Sequence, residues 1–425
     1  MYDWANSVYN LVITTTFFPI YFAAITKSAY GENTVPLLGR TFKNTALYNY
    51  ALAFAYLIIA LALPILSSIA DSRGNKKKFM RFFCYVGALA CVGLFWFKGD
   101  QPSVLWGTGC FVIAAIGYIG SLVFYNSYLP EIATREERDW VSARGYSMGY
   151  IGSVILQLVG FALVLYFSAH GDNASGPLFT FLLVGIWWIG FAQITFYYLP
   201  DGSPPEQKKK GDIFKAGFLE LKKVWDQVKH MSVLKWFLVA FLFYSMGVQT
   251  VMLAATLFGS QLLELPDEKL IITIVLIQLV AIPGAMMMSF LSGKFGNLKV
   301  LTGVVFIWIL VCMAAYWVVN MKEIGADVEF YFYGLAVSVG IVMGGIQSLS
   351  RSTYSKLMPE TKDTASFFSF YDVTEKIAIV IGIFAFGYID ETFGMKHSVL
   401  ILIVFFVLGL FSLVRARYKE TLYVS

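Results

Sequence analysis

The sequence predicts an all-α membrane protein of twelve transmembrane helices arranged as two parallel six-helix repeats. Three observations carry that reading: an apolar composition, regularly spaced long apolar runs, and an echo between the two halves. Hydrophobic residues make up 58% of the 425 positions and charged residues 14%, against roughly 45–50% and 25% in an average soluble domain. Such a chain belongs in a bilayer. Runs of about 20 mostly apolar residues, enough to cross a hydrocarbon core of about 30 Å, fall at 5–25, 46–70, 79–97, 104–129, 142–168, 177–199, 233–257, 269–292, 298–320, 329–350, 366–389 and 394–415.

Span 1 carries Asp3, Asn6, Asn10 and Thr14 at steps of three, four and four, a polar stripe that in lipid must face protein or water. Pro19 is expected to kink it, as is Pro283 in span 8. Span 2 ends in SSIADSRGNKK, Ser67 to Lys77, and span 8 in SFLSGKFGNLK, Ser289 to Lys299, with Ser, Gly, Asn and Lys at matching places 222 residues apart. YLPE after span 4 is echoed by LMPE after span 10. Both echoes occupy equivalent loops of a six-plus-six plan, as parallel repeats require. Span 4 offers Tyr118, Ser121, Tyr125 and Asn126, span 5 Tyr146, Tyr150, Ser153 and Gln157, span 7 Tyr244, Ser245 and Gln249, and span 10 Ser338, Gln347 and Arg351. Gly145, Gly149 and Gly152 in span 5, and Gly340, Gly344 and Gly345 in span 10, read as points of close helix packing.

Span 11 is fixed by length. Its uninterrupted apolar run, Ile377 to Ile389, covers only about 20 Å at 1.5 Å per residue, so the helix must begin near Tyr371 and take Asp372, Glu375 and Lys376 into the membrane. Asp372 and Lys376, four apart with the acid first, are expected to pair, leaving Arg351 as the distant partner of Glu375. Ionisable groups in spans are costly and mark pathways. Together with Asp3, Asp71 and Arg351, these three are the coupling or gating candidates.

Basic residues fix the orientation. Arg73, Lys76 to Lys78 and Arg81, the lysines from Lys208 to Lys229, and Arg415, Arg417 and Lys419 all fall on one side, whereas the opposite loops hold scattered Lys27, Arg40, Lys98 and Lys396. That bias predicts both termini in the cytoplasm; the expected location is a bacterial plasma membrane. The net charge of +5 therefore reflects topology and implies no nucleic-acid partner.

Between the halves, Pro204, Pro205 and the lysine run read as linker, Asp212 as a helix cap, and Phe214, Phe218, Leu221, Trp225 and Val228 as one apolar helical face. This helix lies either along the anionic membrane surface or beneath its own bundle. The expected domains are 1–200, a first six-helix bundle; 201–232, the linker; and 233–425, a second bundle. Other chemistries lack material. The four cysteines sit singly inside spans and read as packing residues, the three histidines are scattered, and no phosphate-binding glycine loop or metal-ligand spacing is present. No catalytic residues, metal or cofactor are expected, nor a cleavable leader, since span 1 starts within about three residues.

SSIADSRGNKK resembles the loop between helices 2 and 3 of the major facilitator superfamily, with Asp71, Gly74 and Lys76 matching, Ser67 standing for its first glycine and Asn75 for an arginine. YDWANSVYN, FYNSYLPEI, GGIQSLSRSTYSKLMPE and FFSFYDVTEK are more specifically similar to the autophagy-related vacuolar effluxer-like branch. The resemblance implies the major facilitator fold, a central cavity lined by helices 1, 4, 7 and 10, and a carboxylate at Asp71 that holds the start of helix 11. It makes Asn6, Asn10, Thr14, Tyr118, Tyr125, Asn126, Tyr244, Gln249 and Gln347 the substrate-cavity candidates. The expected function is secondary transport or efflux of a small neutral or zwitterionic metabolite, neutral amino acids among them, by alternating access. The expected partners are that substrate, protons and membrane lipids. A sugar or polyol carrier is the alternative within the class. A non-transporting receptor or scaffold is the alternative outside it.

Overall fold

The computed structural model describes residues 1–31, 34–37, 39–98, 101–201 and 213–424. Long helices α1 to α12 follow in chain order: Tyr2–Tyr30, Asn44–Arg73, Lys76–Trp96, Gln101–Asn126, Arg138–Ala169, Ser175–Tyr198, Ser232–Leu257, Asp267–Phe295, Asn297–Glu323, Glu329–Leu357, Thr364–Phe393 and Met395–Val424. Eleven are apolar enough to cross a membrane by composition alone. The remaining one, α11, is long enough at 30 residues, but Asp372, Glu375 and Lys376 near one end and Asp390 and Glu391 near the other charge every 18-residue stretch of it.

Between α1 and α2 the chain forms an antiparallel hairpin, β1 (Thr34–Leu37) and β2 (Arg40–Lys43), with Thr34 opposite Lys43 and Leu37 opposite Arg40. The spacing of apolar runs places a loop here, because four-residue strands carry too little pattern to stand out. Gly39, at φ +78°, makes the turn.

Close packing divides the chain into two units, Met1–Asn126 with Met148–Phe218, and Ser127–Ser147 with Leu219–Ser425. In the first, α3 meets α4 where Gly87 faces Gly117, and Trp188 of α6 lies over Gly87. A Cβ at Gly149 would strike Ser7, and one at Gly152 would touch the carbonyl of Trp4. In the second, Gly340 and Gly344 of α10 lie against the backbone carbonyls of Ile277 and Ala281 on α8. Without side chains at these points the backbones can touch, which drives association where lipid removes the hydrophobic incentive.

One helix departs from its expected form. α1 is α-helical over Tyr2–Val8 and Phe18–Tyr30 but π-helical over Tyr9–Phe17. The wider turn changes the phase of the polar stripe. Asp3, Asn6 and Thr14 are buried, whereas Ser7, Asn10 and Thr15 are half-buried, so the step from Asn10 is five residues and not four. An α-helical period could not foresee this.

The linker helix, Ile213–His230, packs beneath its own unit. Val224 and Val228 are buried, Lys223 pairs with Asp363 at 2.7 Å, and the Trp225 ring lies 6.1 Å from Phe370 at the start of α11. The expected cap at Asp212, the prolines and the lysine run 208–210 lie outside the described residues, as do the side chains of Phe214, Phe218 and Leu221.

Candidate functional site

In the second unit, α7, α10 and α11 line a small, partly open cavity formed by Phe241, Tyr244, Ser245, Gln249, Gln347, Ser350, Tyr371 and Glu375, with the aliphatic Val248 and Ile346. Helical spacing explains the set. On α7, residues 241, 244, 245, 248 and 249 recur at three and four and share a face. The rings of Phe241 and Tyr371 stack 4.1 Å apart, and the Tyr244 hydroxyl meets Ser350 Oγ at 2.7 Å. Gln249 Nε2 donates to Glu375 Oε1 at 3.0 Å, and Gln347 Nε2 reaches Met252 Sδ at 3.5 Å. Four predicted residues, Tyr244, Gln249, Gln347 and Glu375, thus come together. The aromatic pair and the two serines complete the site.

The charges pair differently from the expectation. Lys376 Nζ binds Glu375 Oε2 at 2.7 Å, while Asp372, 5% exposed, has no hydrogen-bond partner at Oδ2 among the described residues. Arg351 does not serve Glu375. Its guanidinium donates to the hydroxyl and carbonyl of Ser142, at 2.9 and 3.0 Å, and lies over the Tyr146 ring. Local helix geometry favoured Asp372 with Lys376, but Gln249 on α7 fixes Glu375 where the lysine can reach it.

In the first unit the predicted residues gather around α1. Asp3 Oδ2 accepts from the Tyr125 hydroxyl at 2.5 Å, the Tyr118 ring lies 5.3 Å from Tyr9, and Asn126 is buried at the end of α4. Asn6 is buried with neither amide atom hydrogen-bonded among the described residues, and Thr14 is buried. Asn10 is half-buried, and Asp71 lies in the last turn of α2.

A second polar cluster escaped the sequence reading. Asp139, in the first turn of α5, is buried, its Oδ2 accepting from Lys356 Nζ at 2.6 Å and Ser292 Oγ at 2.7 Å, and its Oδ1 from Asn297 Nδ2 at 2.7 Å. Arg138 donates to the carbonyl of Ser355 at 2.6 Å, and Ser142 to that of Ser348 at 2.8 Å. Ser292 and Asn297 belong to the repeated loop motif and Lys356 to the segment GGIQSLSRSTYSKLMPE. Asp139 itself read as one more acid at a helix end.

Among the described residues, twelve long helices, eleven of them with a stretch long and apolar enough to cross a membrane and one carrying buried charge beside a polar cavity, make this an integral membrane protein. The Escherichia coli fucose:proton symporter has the same fold, with a TM-score of 0.66 at 14% identity over 98% of each chain. More specifically, the model of the Atg22-like vacuole effluxer family matches residues 1–420, and the chain belongs to that family. An uncharacterized MFS-type transporter of Bacillus subtilis (strain 168), YxiO, is 31% identical over 423 residues, covering 96% of this chain and 92% of that protein. Autophagy-related protein 22 of Kluyveromyces lactis is 27% identical over 408 residues, covering 88% and 80%. The chain is therefore an MFS-type transporter and not an enzyme.

Proposed function

We propose that this transporter carries a small neutral or zwitterionic metabolite, neutral amino acids among them, by alternating access between its six-helix halves. The observation that carries this reading is the charge of the cavity in the second unit. Its one lining carboxylate, Glu375, is neutralised by Lys376, and the other lining groups are hydroxyls, amides, aromatic rings and the aliphatic Val248 and Ile346. A phosphate ester or tricarboxylate would need several fixed cations there. The loop charge bias and the Bacillus relative support a bacterial plasma membrane with both termini in the cytoplasm. On that orientation the Asp139 cluster lies at the cytoplasmic edge of the second unit.

Counterflow in proteoliposomes tests the reading. Vesicles preloaded with an unlabelled pool of neutral amino acids should accumulate labelled leucine, and a sugar pool should not drive it. Sugar-driven exchange without amino-acid exchange would support a sugar or polyol carrier. Absence of flux with every metabolite pool would support a receptor or scaffold.

A further inference from the structure

The acidic turn of α11 holds two carboxylates and one ammonium group within five residues, and the ammonium has taken the less favourable partner. Side chains at adjacent helix positions diverge by about 100°, whereas an acid four residues before a lysine faces it. Lys376 nevertheless binds Glu375, its neighbour, at 2.7 Å, and Asp372 is left with Oδ2 unpartnered at 5% exposure. A buried carboxylate in that condition carries a large desolvation cost. Glu375 is the acid that lines the cavity, its other oxygen held by Gln249.

From this we infer that Lys376 stands in for the substrate: Glu375 recognises a primary ammonium group of the transported molecule, and Lys376, displaced from it, swings to Asp372. Within this turn one ammonium serves two acids, and the further cation acting on Asp372, Arg351, is held by Ser142 and the Tyr146 ring. With a substrate ammonium on Glu375, each carboxylate has a cation and the turn is neutral. Phe241, Tyr244 and Tyr371 offer aromatic surface to the same cation. The inference rests on the transport reading above and narrows it to amines and amino acids. It makes Glu375 the residue that sets specificity, and Asp372 the acceptor that lets Lys376 leave.

The test is binding to the purified full-length protein in lipid nanodiscs, followed by thermal shift, with L-leucine, L-leucinamide, which lacks the carboxylate, and N-acetyl-L-leucine, which lacks the ammonium. Leucine and leucinamide should stabilise the protein saturably and the acetylated probe should not. Glu375→Gln should abolish the response to leucinamide. Lys376→Met removes the internal competitor, so the apparent dissociation constant for leucinamide should fall roughly tenfold. Should that variant fail to fold, Asp372→Asn with Lys376→Met removes one charge of each sign and should show the same tightening. Equal binding of the acetylated probe, no binding of either ammonium probe, or weaker binding on loss of Lys376 would overturn the inference. Vesicle flux separates the two claims: ammonium-selective binding without flux defeats the transport reading alone, and flux indifferent to the ammonium defeats this inference alone.

Discussion

Asp139 and Lys356 stand 217 positions apart in the chain and 2.6 Å apart in space. The acid is buried and the lysine side chain 18% exposed, so neither is well solvated once the other is gone. Asp139→Ala should lower stability by roughly 3–5 kcal/mol, the range for breaking a buried pair, and Asp139→Asn with Lys356→Met should recover most of it. Melting temperatures in detergent check this. A loss under about 1 kcal/mol in the single variant would mark the pair as solvated.

Asp372 and Lys376 of α11 should respond in opposite ways to removal. Asp372→Asn removes a buried charge that lacks a partner at Oδ2 and should leave folded yield unchanged or raise it. Lys376→Ala strips Glu375 of its cation and should reduce yield. Size-exclusion profiles of the two variants decide between this asymmetry and the symmetric loss that an Asp372–Lys376 pair would give.

The π-helical stretch of α1 can be read by cysteine labelling. In a cysteine-free background, a thiol at position 15 should react faster than one at 14, because Thr15 is half-buried and Thr14 is 3% exposed. The reverse order would restore the α-helical phase.

Topology is testable with cysteines at Lys78 and Asn173, both exposed, which should label from opposite faces of the membrane. Asp172 should be left intact, since its carboxylate accepts from the backbone N–H groups of Ala174 and Ser175 at 3.0 Å and from the Ser175 hydroxyl at 2.5 Å. Those bonds, the hydroxyl's first, hold its pKa below the usual carboxylate value. A depressed carboxylate stabilises the fold above its unfolded pKa of about 4 and loses that contribution as pH falls through the lower folded value. Asp172→Ala should therefore melt below the wild type near neutral pH, with the gap narrowing in acid.

The helices were legible because lipid demands a length and an apolarity that any reader can count. The cavity was half legible: Tyr244, Gln249 and Gln347 betray themselves as polar groups in apolar helices, but Phe241 and Tyr371 look like any other aromatic until helix rotation is known. Charge pairing was the least legible. Sequence spacing favours Lys376 with Asp372, and only the position of Gln249 on another helix reveals why Glu375 wins. In α1 the failure was one of period, since nothing in YNLVITTTF distinguishes a π turn from an α turn.

The membership of Ser127–Ser147 in the second unit also sets a timetable for synthesis. The ribosome makes Asp139 long before Ser292, Asn297 and Lys356, its hydrogen-bond partners. At about 5–20 residues per second, the 217 positions to Lys356 take roughly 10–40 s to translate. Until then the start of α5 holds a carboxylate at the membrane edge whose final ligands do not yet exist. The newborn first half must wait with this stretch unfinished, either wetted by water or shielded by the insertion machinery. A chain that stalls in the linker would expose the same stretch, giving quality-control proteases a place to recognise an incomplete transporter.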